Sequence, residues 1–381
     1  MYWTKLKINY IIKLRRKDSQ REVNMKTYKI AFTGGPCAGK TSIIKETRKY
    51  LKSLGYRVIV VNETATELIS YGLLDKKHLS DKDIFSFQTI LFNQQYNKEL
   101  NAEKSLHYLC DKDVCIILFD RGIIDNKAYL KGQEEFDKIL ELNNCNELSL
   151  IENYDLVIDL MSLAVCDPKR YAIDGVRFES IEEAIALDRR TTRAWLLHRN
   201  IEMFRSDISL EEESNLVINS ITNFIDGKKT NNKDLYLVQT NREFNDENSK
   251  TVKVCETILN TSSRYYYSPD YVYKLLKREY KGNTEYRLIT IKNGYVIEDR
   301  RITKKLYDSN LFTGIKEEDI KEETTFYEND ILYKYIIQNG VEMIEVDSSK
   351  EFIIPDNFTV YGKIDDYNKV RKYTLIKKPV L

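Results

Sequence analysis

Gly34-Gly35-Pro36-Cys37-Ala38-Gly39-Lys40-Thr41 lies between a short apolar run, Tyr28 to Thr33, and a stretch of helical apolar spacing, Lys40 to Leu54, that stops at Gly55. Gly-x-x-x-x-Gly-Lys-Thr in that setting, after a strand and at the start of a helix, is the pattern of a phosphate-binding loop. Its backbone amides and the amino end of the helix form a positive cradle for phosphate oxygens. The expected contacts are Gly34, Gly35, Pro36, Cys37, Ala38, Gly39, Lys40, Thr41 and Ser42, with Lys40 on the outer phosphates and Thr41 on magnesium. The expected ligand is therefore a nucleoside triphosphate, ATP or GTP, with Mg2+. Nothing in the loop separates adenine from guanine.

Outward from the loop, β-branched runs alternate with longer helical patterns from Lys26 to about Thr261. That order builds a parallel sheet with helices on both faces, an α/β fold. The predicted strands are Tyr28 to Thr33, Arg57 to Asn62, Val114 to Asp120, Asp155 to Met161 and Leu235 to Gln239. Predicted helices include Asp81 to about Glu103, Ile181 to Phe204 and Glu243 to Leu259. Asp120 ends the third strand, which puts a carboxylate where the triphosphate sits and makes it the second magnesium candidate. Arg121 follows as a contact to a phosphoryl group or as a structural ion-pair partner. Glu63, just past the second strand, is placed either to accept a proton from an attacking hydroxyl or to cap the next helix. Arg170, Arg177, Arg189, Arg190 and Arg193 cluster after the fourth strand, as a water-excluding lid over phosphates requires. Arg177 is taken as its catalytic candidate.

Composition bounds the rest. A chain of 381 residues exceeds one comfortable hydrophobic core and suggests two domains. Lys and Arg number 60 against 59 Asp and Glu, so net charge points to no nucleic acid or other polyanion. Six cysteines without a C-x-x-C pair, and three histidines, argue against zinc and for free thiols in a reducing cytoplasm. No apolar run reaches membrane-spanning length. Residues 1–24 are basic around Ile8 to Leu14 and read as a disordered extension or an upstream start. The expected domains are 25–261 and 262–381, the change coming at Thr261-Ser-Ser-Arg.

Beyond that change Tyr, Ile and Val dominate, and Asn293-Gly294 and Asn339-Gly340 predict two-residue hairpin turns. A regular ladder from the first turn sets Arg287 opposite Arg300, with Arg301 beside them. Like charges face each other unfavourably, so an anion between them, or a solvated basic edge, is expected. The second ladder sets Lys334 opposite Glu345 and puts Tyr333, Tyr335, Ile337, Ile344 and Val346 on the core face.

Gly34 to Thr41, Glu63-Thr-Ala-Thr-Glu-Leu-Ile69, Asp120-Arg-Gly-Ile-Ile-Asp125 and Arg177-Phe-Glu179 together resemble the P-loop ATPase and kinase family that includes the nicotinamide-riboside kinase domain of NadR-type proteins, over residues 26–261. Arg287 and Asp299-Arg-Arg-Ile-Thr-Lys-Lys-Leu-Tyr307 resemble the CYTH, or triphosphate-tunnel, fold over residues 264–378. The whole chain is similar to the TRPL translocation defect protein group, which joins two such domains. Trp195-x-x-His198 fits that group's pattern and equally fits helix packing. The CYTH opening strand Glu-x-Glu-x-Lys is missing, so the resemblance implies a β-rich α+β domain that binds a phosphorylated ligand rather than one that cleaves it. The resulting expectation is an ATP- or GTP-binding NTPase of kinase-like fold. A small-molecule, nucleoside-type kinase is the alternative, and a non-enzymatic binding protein the third reading.

Overall fold

The computed structural model describes residues 26–74, 80–109, 114–171, 180–228, 233–245, 247–259, 271–308, 316–348 and 351–364. Residues 1–24 and Arg177 lie outside that set. Five parallel strands, β1 (Lys26–Thr33), β2 (Arg57–Val61), β3 (Val114–Asp120), β4 (Leu156–Leu160) and β5 (Ile201–Phe204), form one sheet in the order β2-β3-β1-β4-β5. Their side chains alternate between two cores, as the two-residue period of a doubly covered strand demands. Ile30 and Phe32 pack with Ile116 and Leu118 on one face, and Ala31 packs with Ile117 and Phe119 on the other.

The helices are α1 (Lys40–Ser53), α2 (Thr64–Ser70), α3 (Asp81–Leu109), α4 (Gln133–Leu142), α5 (Glu147–Ile151), α6 (Leu163–Cys166), α7 (Ile181–Ala194) and α8 (Leu210–Ile225). Ile43 and Leu51 of α1 and Val217 and Ile221 of α8 cover the first face. Phe92 of α3 and Phe136 of α4 cover the second. The helix expected to run from Ile181 to Phe204 ends at Ala194. Trp195, Leu196 and Leu197 are all buried, and three successive side chains cannot share one helical face. The chain therefore turns, and Ile201–Phe204 supplies the fifth strand in place of Leu235 to Gln239.

The second sheet is antiparallel: β6 (Lys233–Thr240), β7 (Ser249–Leu259), β8 (Tyr271–Tyr280), β9 (Asn283–Lys292), β10 (Tyr295–Arg301), β11 (Lys316–Glu328), β12 (Ile331–Gln338), β13 (Val341–Asp347) and β14 (Phe358–Lys363), with α9 (Lys304–Tyr307) after β10. Its order is β10-β9-β8-β7-β11-β12-β13-β6-β14. Sheet membership thus changes between Ile225 and Lys233 rather than at Thr261. The expected helix over Glu243 to Leu259 is instead β7, where Val252 and Val254 are buried and Thr251 and Lys253 are exposed. That alternation is a strand period.

Both Asn-Gly pairs form the expected turns, with φ positive at Asn293, Gly294, Asn339 and Gly340. Lys334 does stand opposite Glu345, 4.0 Å away. Tyr333, Tyr335, Ile344 and Val346 are core, whereas Ile337 is 37% exposed. The first hairpin departs from the regular ladder. A bulge between Val296 and Glu298 slips the register by one, so Arg287 faces Arg301 and Leu288 faces Arg300. Arg287 and Arg300 therefore do not face each other across the ladder, although Arg287, Arg300 and Arg301 line one cavity together with Glu103, Glu152, Asp155 and Asp299. Arg300 pairs with Glu298, Arg301 with Glu285, and Arg287 with Asp299 and Glu152.

Glu152, at the end of α5, ties the two sheets together. Its carboxylate meets Arg278 of β8, Arg287 of β9 at 3.2 Å and Arg199 at 3.4 Å, and Asp299 of β10 bridges Arg199 and Arg287 at 3.1 and 2.6 Å. Beside these charges, Val252, Val254, Leu276, Tyr280 and Tyr327 of the antiparallel sheet join the core of the parallel one. Cys145, Cys166 and Cys255 are free thiols. Cys115, against the expectation, is disulfide-bonded. No helix among the described residues is long and apolar enough to cross a membrane.

Glu99 on the buried side of α3 accepts from the Tyr154 hydroxyl at 2.7 Å, and burial raises its carboxyl to about 8. The folded chain holds this proton up to a higher pH than the unfolded chain, so the group costs stability as pH rises from about 4 to 8. The Glu99→Gln variant is expected to match the parent near pH 4, gain on it progressively to pH 8, and gain nothing more above. Urea titrations at four pH values measure the difference.

Candidate nucleotide site

The loop after β1 sits at the carboxyl edge of the sheet, where the strand order reverses and α/β proteins bind their ligands. Pairing of Phe32 with Asp120 and of Val61 with Phe119 brings the ends of β1, β2 and β3 level. Lys40, Glu63 and Asp120 therefore share one edge. Together with residues of α3 and α7 they line a cleft of about 830 Å3.

Within it the Lys40 ammonium donates to the carbonyls of Gly34 at 2.9 Å and Gly35 at 2.7 Å. Burial, and then the Arg121 guanidinium, lower it to about 8. The Thr41 hydroxyl donates to Asp120 Oδ2 at 3.1 Å. Burial, followed by the Glu63 charge, raises the Asp120 carboxyl. A hydroxyl and a carboxylate in contact, beside a cradle for phosphates, form an oxygen-donor pair that suits a hard cation such as Mg2+.

Arg121 Nε pairs with Glu63 Oε1 at 2.7 Å, its Nη1 donates to the Gly34 carbonyl at 3.2 Å, and the same atom lies 3.5 Å from Asp125 Oδ2. Burial acts to raise the Glu63 carboxyl, but the guanidinium outweighs it and the net shift is downward. The Arg121 backbone has φ 69°, a left-handed conformation that costs a side-chain-bearing residue energy and that sites tolerate where the geometry is needed. Asp125 orients Arg121 from behind. Its Oδ1 accepts from Thr33 Oγ1 and Trp195 Nε1, both at 2.6 Å, and burial raises its carboxyl. Trp195 thus touches the site through Asp125, while His198 is buried against the carbonyls of Tyr154 and Asn200.

Of the arginines expected in a lid, Arg190 lines the cleft. Arg170 donates to the Asp207 carbonyl at 3.3 Å, and Arg189 pairs with Asp330 at 3.1 Å. Sequence reasoning missed Asp188 and Asp159, two buried carboxyls behind the loop. Asp188 Oδ1 accepts the Gly35 amide at 2.7 Å and the Ser162 amide at 2.9 Å, and Asp159 Oδ2 accepts from Thr192 at 2.7 Å. Burial raises Asp188 to about 6 and, with the Asp188 charge second, Asp159 to about 7. Asp188 lies in Leu-Asp-Arg-Arg on a charged helix, and no local signal marked it out from a solvated acid.

Residues 29–212 match the family model described as an AAA domain. The matched segment holds Gly34 to Thr41, Glu63, Asp120, Arg121 and Asp188, and the match suggests nucleotide binding with kinase- or ATPase-like activity. No curated protein matches the chain. Among solved structures the chain is similar to the crystal structure of the inorganic triphosphatase NE1496, at 14% identity over 38% of this chain and 91% of that one, with a TM-score of 0.28. A likeness of that size carries no argument about the matched segment or the antiparallel sheet.

Proposed function

We propose that the chain transfers the γ-phosphoryl group of a nucleoside triphosphate to a hydroxyl of a small acceptor carrying a planar apolar group. The observation that supports this is the second half of the cleft. Ile69, Leu74, Phe87 and Leu91 wall it, and Gln88 Oε1 is buried there with no hydrogen-bond partner among the described residues. A hydrolase needs no such room, whereas an apolar pocket with one convergent polar group is how a small molecule is held. The resemblance to NadR-type kinase domains names a nucleoside-type acceptor.

In this proposal Thr41 and Asp120 hold Mg2+, which neutralises charge on the transferring phosphates. Lys40 and Arg121 bear on the phosphoryl oxygens, and an arginine of the lid segment, Arg190 or Arg177, closes over them. Glu63, kept anionic by Arg121, accepts the proton of the attacking hydroxyl. A cytoplasmic setting belongs to the same proposal.

ADP release measured with ATP or GTP, with and without a panel of nucleosides bearing free hydroxyls, tests it. At least one nucleoside should stimulate release and appear as its monophosphate. Phe87→Ala should raise the KM for that nucleoside roughly 10- to 100-fold, the order of a lost apolar contact, with the KM for ATP unchanged. Slow release that no nucleoside alters would overturn the reading in favour of a hydrolase whose antiparallel sheet holds a phosphate-bearing ligand.

A further inference from the structure

Four two-residue hairpin turns in the antiparallel sheet place both residues at positive φ. Three carry glycine second, at Gly282, Gly294 and Gly340, and the turn between β11 and β12 carries Asn329 at 51° and Asp330 at 61°. Glycine takes that conformation at no steric cost, while any side chain is penalised there. The Asp330 side chain is retained against this preference, and it has an evident use. Its two oxygens receive Arg189 Nε at 3.1 Å and Nη2 at 3.4 Å, and the Tyr327 hydroxyl donates to Oδ1 at 3.2 Å. A bidentate guanidinium–carboxylate pair fixes orientation as well as distance.

Arg189 belongs to α7, and its neighbour Asp188 reaches into the phosphate loop. Asp188 Oδ1 bridges the amide of Gly35, in the loop after β1, and the amide of Ser162, in the loop after β4. The approach is so close that a Cβ on Gly35 would fall 2.6 Å from Asp188 Oδ1 and 2.7 Å from its Cβ. Ser162 adds a second tie, its hydroxyl donating to the Pro36 carbonyl. The Gly35–Pro36 end of the loop is thus held from behind. Arg190, next on α7, lines the cleft itself.

We propose that Asp188 is the positioning residue of the phosphate loop and that the β11–β12 hairpin, through Asp330 and Arg189, sets where Asp188 stands. The antiparallel sheet thereby tunes nucleotide affinity in the parallel one, and nucleotide in turn favours the docked hairpin, since coupling between two sites is reciprocal. The inference rests on nucleotide binding at Gly34 to Thr41 and adds to it a route of control.

Asp330→Gly separates this role from a structural one, because it relieves the turn while removing the clamp. Full-length protein with Mg2+ is titrated with a fluorescent ATP analogue, and amide exchange at Gly35 is followed without nucleotide. The expected result for Asp330→Gly is an unchanged or higher Tm, about a tenfold weaker Kd and faster Gly35 exchange. Arg189→Gln should give the same Kd, and the double variant should be no weaker than either single one. Asp188→Asn, which keeps an acceptor oxygen for both amides, should hold the parent Kd, and Asp188→Ala should lose at least tenfold. Parent-like Kd and Gly35 exchange in Asp330→Gly would overturn the clamp. Failure of the parent itself to bind the analogue would instead overturn the nucleotide reading on which the proposal stands.

Discussion

Replacing Lys40 with alanine reduces nucleotide turnover by roughly 10^2- to 10^3-fold, the effect of removing one pre-aimed charge from a phosphoryl-transfer site. No neighbour can take its place. The nearest cation, Arg121, is committed to Glu63 at 2.7 Å, and Arg190 is exposed on α7. Lys40 itself is held by two carbonyls of its own loop, ready to exchange them for phosphate oxygens. Because its ammonium is lowered to about 8, the lysine is charged at pH 7 but loses its proton about two and a half pH units earlier than an ordinary lysine. Nucleotide binding is therefore expected to take up a proton above pH 8 and none at pH 6.5, with affinity falling as pH rises through 8. Calorimetry in two buffers of different ionisation enthalpy measures the uptake, and Lys40→Ala should abolish it. Turnover at the parent rate in Lys40→Ala would remove the site from this loop.

Glu152→Ala should be the most destabilising single substitution in the connection between the sheets. It leaves Arg199, Arg278 and Arg287 facing one another, with Asp299 and Asp155 beside Arg199 and Arg287 and Glu323 near Arg278. Breaking a buried pair by deleting one member costs about 3–5 kcal/mol, because the remaining charge has lost its compensation. The pH dependence has a definite sign. Burial acts to raise the Glu152 carboxyl, but Arg199, Arg278 and Arg287 outweigh it and hold it well below the usual carboxylate range. Its contribution is thus fully present above about pH 4.3 and is lost as pH falls through the depressed value. Urea unfolding at pH 7 should show the loss, and between pH 4 and pH 2 the stability of the variant should fall less steeply than that of the parent. Equal slopes would mean that Glu152 is not the ionised centre of the cluster.

Residues that met at the site from neighbouring strand ends were the legible ones. Gly34 to Thr41, Glu63 and Asp120 each follow a short β-branched run, and parallel strands of similar length end level with one another. Position in the chain therefore foretold position in space. Arg121 was foreseen beside them with its two roles undivided, and the structure pairs it with Glu63. Asp188 was not foreseen, since Gly35 and Asp188 stand 153 residues apart and an acid among arginines on a helix reads as solvated surface.

The antiparallel sheet shows the same division. Two of its turns were written in Asn-Gly pairs, because those residues reach positive φ at the least cost. The fate of Arg287, Arg300 and Arg301 was not, because a bulge between Val296 and Glu298 moved the register by one and a partner from another element, Glu152, entered the face expected to hold an anion.

By itself, then, the sequence determined the phosphate loop, the carboxylates at the strand ends and the hairpin turns. Each depends on local backbone preference and on the period of apolar residues, which neighbours in the chain suffice to set. Tertiary structure alone decided the fifth parallel strand, the membership of residues 233–259 in the second sheet, the Glu152 cluster and the hold of Asp188 on Gly35. Those depend on which surfaces are buried against each other, and burial is a property of the whole fold.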